Sequence, residues 1–483
     1  MSKKDLKPES VFRFFDEINH IPRPSKHEEQ MIAYLQDFGK SHNLTTITDE
    51  AGNVLIRKPA TKGKENTPPL ALQSHMDMVC DRLVDHEIDF LHDPIETVIE
   101  GEWMKANGTT LGADDGIGCA MQLALLDADD IEHGPIECLF TVDEETGLTG
   151  ANALKDDMLE SRMLLNLDSE DEGLFYVSCA GGRTTTARFD YTKEEAPKGL
   201  MFLKADIKGL TGGHSGDDIN KKLANAIKIL ARFLYLEQKK MPVYLAQFNS
   251  GRMHNAIPRD GSITFAVPFA ERETVRVDWN IFASDVEEEF CMTEKNIYWH
   301  MESTDAEPII PTNISCRIIT ALQAVHNGVF SVCQDPALGG MTETSSNTAS
   351  VCTSESCCTI VCSQRSNIMS NLDNMVNTVR ATFELSGASE IKHSDGYPAW
   401  KMNPNSHLRS IAQQCYKDLF GAEPTIKGIH AGLECGLFSE RYPHLDMLSV
   451  GPTMRGVHSP DERLHIPSVD KVWQLLLAIV TQL

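Results

Sequence analysis

Apolar residues recur along this chain at two spacings, and the alternation between them lays out its elements. Val11, Phe14, Phe15 and Ile18 fall at helical spacing, and Pro22 and Pro24 close that segment. Ser25-x-x-Glu28 reads as a capping box opening a second helix, with Met31, Ile32, Leu35 and Phe38 on one face. A polar, turn-rich connection follows, with a short strand around Val54-Leu55-Ile56. The unbroken run Pro69-Leu70-Ala71-Leu72 then predicts a buried strand over 70–79. Ile136–Val142 and Arg162–Leu167 predict two more. Between the first two of these strands, Ile117–Ala128 is too densely apolar for an exposed helix and predicts a central one. Such strands alternating with helices predict an α/β domain, a sheet flanked by helices, with functional groups at the strands' carboxyl ends.

From about Arg183 the texture changes. Thr184–Asp190, Met201–Gly209, Tyr244–Asn249, Ser262–Val267, Ile297–Glu302 and Ser350–Gln364 read as strands. Asn220–Glu237 reads as a long amphipathic helix, with further helices near Ile318–His326 and Ile368–Val379. These two rough rounds predict a separate α+β domain, duplicated inside without a visible sequence repeat. Helical periods resume at Leu408–Leu419, and the chain closes on a helix striped by Val472, Leu475, Leu476 and Ile479. The predicted division is 1–182, 183–395 and 396–483.

Composition narrows the function. Of 483 residues, 41% are apolar and 24% charged, a globular balance, and 44 Lys+Arg against 70 Asp+Glu leave a net charge of -26. That excess of acid argues against nucleic acid or an anionic membrane as partner. The start, MSKKDLKPES, has no apolar core of a leader, and no run of roughly 18 apolar residues occurs. Thirteen scattered cysteines then predict free thiols in a reducing cytoplasm. The cluster Cys352, Cys357, Cys358, Cys362 lacks a C-x-x-C pair, which argues against a metal there.

Acids and histidines gather where strands are predicted to end. His75 and Asp77, two apart in an extended segment, share a face, as a ligand histidine and its orienting carboxylate do. Gly108–Gly118 is a glycine-rich loop aiming one acid of the Asp114-Asp115 doublet; it lacks the phosphate-loop lysine, and paired aspartates repel phosphate. Asp143-Glu144-Glu145 and Asp168-Ser169-Glu170 follow the next two strands, and His458 comes late. Singly, each is ordinary surface. Together, His75, Asp114, Glu145, Asp168 and His458 suit a pair of divalent ions, zinc first, with Co2+ or Mn2+ as substitutes. One carboxylate must bridge, and two such ions about 3.5–4 Å apart share a water and lower its pKa towards about 7. The doublet Glu144-Glu145 offers one acid to the metal and one to move the proton.

The motifs His75-Met76-Asp77, Gly112-Ala113-Asp114-Asp115, Asp143-Glu144-Glu145-Thr146-Gly147, Leu167-Asp168-Ser169-Glu170, Gly212-Gly213-His214-Ser215-Gly216, Asn255-Ala256-Ile257-Pro258-Arg259 and His458-Ser459-Pro460-Asp461-Glu462 resemble, in this order, the M20 metallopeptidase family. Within it, the chain looks most like the aminoacyl-histidine (cytosol non-specific) dipeptidase branch; Gly116, where many members carry Lys, supports that branch. The resemblance implies a zinc-peptidase-like α/β catalytic domain with a mixed sheet, interrupted by an inserted α+β lid domain. It implies that His75 and Asp168 hold one zinc, Glu145 and His458 the other, and that Asp114 bridges, with a cis peptide after it. Choosing Asp114 over Asp115 rests on the alignment alone. Glu144 would be the general base and Asp77 would orient His75. His214 would stabilise the oxyanion, Asn255 and Arg365 would contact substrate, Arg365 through its C-terminal carboxylate, and Gly432 would bring backbone close to it. The implied activity is hydrolysis of unblocked dipeptides, Xaa-His included. The rival readings are an aminoacylase or deacetylase of the same fold and a non-catalytic metal-binding protein on it. A homodimer is also implied, since the family's lid domains commonly pair.

Overall fold

The three apolar runs form the inner strands of an eight-stranded sheet in the computed structural model, which describes residues 6–483. From edge to edge the order is Thr45–Thr48, Val54–Lys58, Ile136–Thr141, Leu70–His75, Met163–Asn166, Asp446–Ser449, Leu174–Cys179, Thr425–Ile429. Leu70–His75 is parallel to both neighbours and Met163–Asn166 is parallel to Asp446–Ser449, whereas Val54–Lys58 and Leu174–Cys179 pair antiparallel, so the sheet is mixed. Every residue of Leu70–His75, Ile136–Thr141 and Met163–Asn166 is buried, as parallel strands covered on both faces must be. Their register sets His75 opposite Thr141 and Gln73 opposite Asn166. The chain therefore leaves all three strands at one edge of the sheet.

The first strand stops at His75 and does not continue to Val79. Its next carbonyls, of Met76 and Asp77, accept hydrogen bonds from the Arg23 guanidinium (3.2 and 2.9 Å) and not from a neighbouring strand. The expected central helix is Ala113–Asp127, buried from Ala113 to Leu126 and packed on Leu70–His75 and on the helix Glu9–Asn19. Asp114 and Asp115 at its start have non-helical backbone angles, and the peptide between them is cis. The helix Glu29–Ser41 carries no capping box. Ser25 Oγ instead donates to Asp77 Oδ2 (2.8 Å), and Glu28 Oε1 accepts from the backbone of Lys26 and Asp143.

The chain divides into two compact units, one of residues up to Ser178 with Trp400–Gly428 and Leu433–Leu483, the other of Cys179–Ala399 with Ile429–Gly432. These limits fall a few residues outside the 183–395 span read from the sequence, and four later residues join the second unit. Its nine-stranded sheet is antiparallel throughout, and its two halves meet where Tyr244–Ser250 pairs Thr342–Thr353 at Asn249–Cys352 and Ser250–Val351. Four helices, Ala226–Glu237, Arg272–Glu289, Thr312–Ala324 and Met369–Leu385, bury Phe233, Trp279, Ile318 and Phe383 in its core.

Several elements here differ from the sequence reading, the strands Gly328–Val332 and Glu390–His393 among them. The first helix starts at Ala226 and not at Asn220, because the Asn225 side chain accepts from the backbone of Ile227 and Lys228 and caps it. The strand expected at 350–364 is a hairpin, Thr342–Thr353 and Cys357–Ser366. Ser354 Oγ accepts from the backbone of Ser356 and Cys357 in its turn. The helix Arg272–Glu289 escaped notice because exposed Val277 and Ile281 blur its buried stripe of Val275, Trp279, Phe282 and Val286. No helix among the described residues is long and apolar enough to cross a membrane.

Candidate active site

Parallel register brings the acids of the first unit together. His75 ends one strand, Glu144 and Glu145 lie just past the second, and Asp168 lies two residues past the third. His75 Nε2 lies 3.2 Å from Asp114 Oδ1 and 3.4 Å from Asp168 Oδ1. His458 Nε2 lies 3.2 Å from Asp114 Oδ2 and 3.0 Å from Glu145 Oε1. Each oxygen of Asp114 thus faces a different imidazole. Asp115 turns away and accepts from the backbone of Gly118 (3.2 Å), so Asp114 alone of the doublet stands between the histidines.

The electrostatics follow from crowding. Burial works against a charged His75, yet the carboxylates of Asp168, Asp114 and Asp77 hold its pKa well above the usual histidine range. Asp114 and Glu145 push His458 up to about 11. Burial drives Asp168 and Glu144 well above the carboxylate range, opposed by His75 and reinforced by neighbouring carboxylates. Two imidazoles cannot balance this many acids. The cluster is built for additional positive charge.

Asp77 fixes the arrangement from behind. Its Oδ1 lies 3.3 Å from His75 Nδ1 and accepts from the backbone of Glu144 (3.1 Å), while Oδ2 accepts from Ser25 Oγ and from the backbone of Glu145 (3.3 Å). One carboxylate therefore ties the histidine's strand end to the acid doublet.

Other residues of the site carried no role in the sequence reading. Glu462 Oε2 accepts from the backbone of Leu111 and Gly112 (2.7 and 3.0 Å), and Oε1 from Ala113 and Asp114 (2.8 and 3.5 Å). These N–H groups precede or open the helix Ala113–Asp127, where they have no partner within the helix. Glu462 thereby anchors the loop that aims Asp114. Glu462→Gln leaves one carbonyl oxygen for these donors and is expected to lower stability by roughly 3 kcal/mol, read by urea denaturation. Unchanged stability would refute that anchoring role.

Arg23, wholly buried, donates to the carbonyls of Met76, Asp77 and Gly112. A Cβ at Gly112 or Gly116 would lie 2.5 Å from its NH2 nitrogen, which accounts for both glycines. A buried chain of hydrogen bonds, Thr141 and Gln73 to Glu434, Asn166 to Gln73 and Ser449 to Asn166, also crosses the inner strands. Burial lifts Glu434 to about 7. The available signal was polar residues inside apolar strands, Gln73 and Asn166, each two before a candidate ligand.

The four candidate substrate contacts all belong to the second unit. The two-residue strand Gly213–His214 pairs with Ala256–Ile257, and the Asn255 carbonyl accepts from the backbone of Ser215 (2.8 Å), so His214 and Asn255 are neighbours. Arg365, buried, places NH2 3.4 Å from His214 Nε2 and donates from NH1 to the Tyr397 hydroxyl (2.6 Å). Gly432 lies against the Tyr397 ring.

The sequence pattern of peptidase family M20/M25/M40 matches residues 71–482. The chain is 40% identical over 480 residues to the cytosol non-specific dipeptidase of Escherichia coli (strain K12), covering 99% of this chain and 98% of that protein. The chain belongs to this family. The M20 fold and the peptidase class expected from the motifs are thereby borne out. Among solved structures, aminoacylhistidine dipeptidase from Vibrio alginolyticus matches this M20 peptidase with a TM-score of 0.92 at 39% identity, covering 100% of this chain and 98% of that one. Aminopeptidase PepT from Bacillus cereus shares the fold, with a TM-score of 0.57 at 17% identity over 99% of both chains.

Proposed function

We propose that this M20 peptidase is a two-metal dipeptidase that hydrolyses unblocked dipeptides, Xaa-His among them. The observation that carries the reading is Asp114, whose two oxygens face two imidazoles, each imidazole also facing a second carboxylate. The donor set fits divalent ions. Among the described residues, buried Glu145 Oε1 accepts no hydrogen bond, although His458 Nε2 is 3.0 Å away. His75 with Asp168 would hold one ion, His458 with Glu145 the other, and Asp114 both; paired imidazole and carboxylate donors favour zinc. Bound there, the ions would supply Lewis acidity and a water acidic enough to ionise near neutral pH.

The chain's own groups supply the rest. Glu144, beside the ligands and held through its backbone by Asp77, takes the proton from the attacking water and gives it to the leaving amine. His214 donates to the developing oxyanion and Arg365 pairs with the substrate's C-terminal carboxylate. The strong likeness to dipeptidases over the whole chain supports this substrate class, and the Escherichia coli relative's name supports a cytosolic setting.

The test assays a panel of unblocked dipeptides beside N-acetyl amino acids, with and without a chelator. Chelator-sensitive cleavage of the dipeptides is expected. Cleavage of the N-acetyl amino acids alone would make the chain an aminoacylase, and no turnover by metal-loaded protein would make it a binding protein.

A further inference from the structure

Tyr397 stands in the second unit with its ring wedged between two stretches of backbone. A Cβ on Gly182 would lie 2.5 Å from its hydroxyl oxygen, and one on Gly432 would lie 2.8 Å from its ring. Its own main chain bonds Gly182 in both directions, N–H to carbonyl at 3.0 Å each way. The ring is thus clamped, and its oxygen accepts from Arg365 NH1 at 2.6 Å. Among the described residues, that hydroxyl donates to no group of the protein. It keeps one proton to give, beside a guanidinium.

Both side chains line a cavity of about 410 Å3 whose wall also carries His254 and Arg183, the latter paired with Asp373 (2.8 Å). Among the described residues Arg365 makes its polar contacts with the Tyr397 hydroxyl and His214 and with no carboxylate, so its charge suits a negatively charged group. Burial holds the phenol above its ordinary pKa, so it stays a donor at neutral pH.

We propose that Tyr397 is a second carboxylate-binding residue of the substrate site, accepting from Arg365 while donating its own proton to the C-terminal carboxylate of the dipeptide. This rests on the reading of Arg365 given above. Arg365 alone offers a charge; the clamped phenol fixes the guanidinium plane and adds a directed donor. Selection for a free C-terminus then belongs to the pair.

Tyr397→Phe keeps the ring that Gly182 and Gly432 accommodate, and its melting midpoint is expected to match the parent's. Two readouts decide: kcat and KM for alanyl-histidine, and inhibition by an uncleavable reduced-bond dipeptide as free acid and as C-terminal amide. Loss of one hydrogen bond to a charged group should raise KM, and the inhibition constant of the acid, about tenfold, with kcat and the amide's constant unchanged. Arg365→Ala is measured alongside. If Arg365→Ala weakens the acid selectively while Tyr397→Phe weakens acid and amide alike, or neither, the role of Tyr397 is overturned and that of Arg365 stands. If Arg365→Ala weakens acid and amide equally, the carboxylate reading of Arg365 fails and the pair falls with it.

Discussion

Glu144→Gln is expected to lower kcat by about 10²–10⁴-fold while the protein keeps its metal. The amide has the size of the carboxylate but cannot take a proton. Glu144 is not needed to hold its neighbours, since its backbone N–H, not its side chain, is the group bound by Asp77 (3.1 Å). Metal content by elemental analysis should match the parent, and KM should stay near it, because the loss falls on proton transfer and not on substrate binding. The surroundings make the prediction sharp. Burial and the nearby carboxylates of Glu434, Glu145 and Asp114 raise the pKa of Glu144, so this acid holds a proton more readily than an exposed one. Near-normal turnover in the variant would remove Glu144 from the mechanism, whatever the metal content.

Asp114→Asn is expected to cost metal as well as activity. Among the described residues, Asp114 is the one carboxylate that meets both imidazoles, so its loss weakens both halves of the site together. Removing a buried charged partner costs about 3–5 kcal/mol, which corresponds to roughly 10²–10³-fold or more in metal affinity. Titration calorimetry with zinc or cobalt reads this directly. The thermal midpoint gives a second readout: added ion raises it in the parent by binding only the folded state, and should raise it far less in the variant. Retention of both ions at parental affinity would mean that Asp114 does not bridge. By contrast, Asp115→Asn leaves the oxygens facing the histidines untouched, since Asp115 points to Gly118.

The capping-box reading shows where local rules failed. Ser25 and Glu28 have the right spacing to cap a helix, yet Glu28 Oε1 accepts from the backbone of Lys26 instead. Their other partners, Asp77 and Asp143, lie far along the sequence, and only the folded sheet brings those within hydrogen-bond reach. Glu462 was equally mute. Its carboxylate sits beside a candidate ligand histidine in sequence, yet it acts on backbone 351 residues away, at Leu111. Arg23 reads locally as a polar residue between prolines, but it is fully buried beneath two site loops.

The sequence by itself determined the inner strands of the first unit and the residue types that gather just past them. Unbroken apolar runs could only be covered strands, and histidines and acids placed just past them had to emerge at the sheet's edge. The order of motifs named the family, because each motif is short, local and carries its own residues. What only the tertiary structure decided is which atoms meet. Asp114 faces His458 across 344 residues, and whether Asp114 or Asp115 does so depends on backbone angles at the helix start that no local pattern specifies. The supporting groups, Arg23, Glu434, Glu462 and the phenol of Tyr397, were invisible for the same reason. A hydrogen bond to a distant backbone or side chain leaves no periodicity in the sequence, because its partner is chosen by packing and not by spacing.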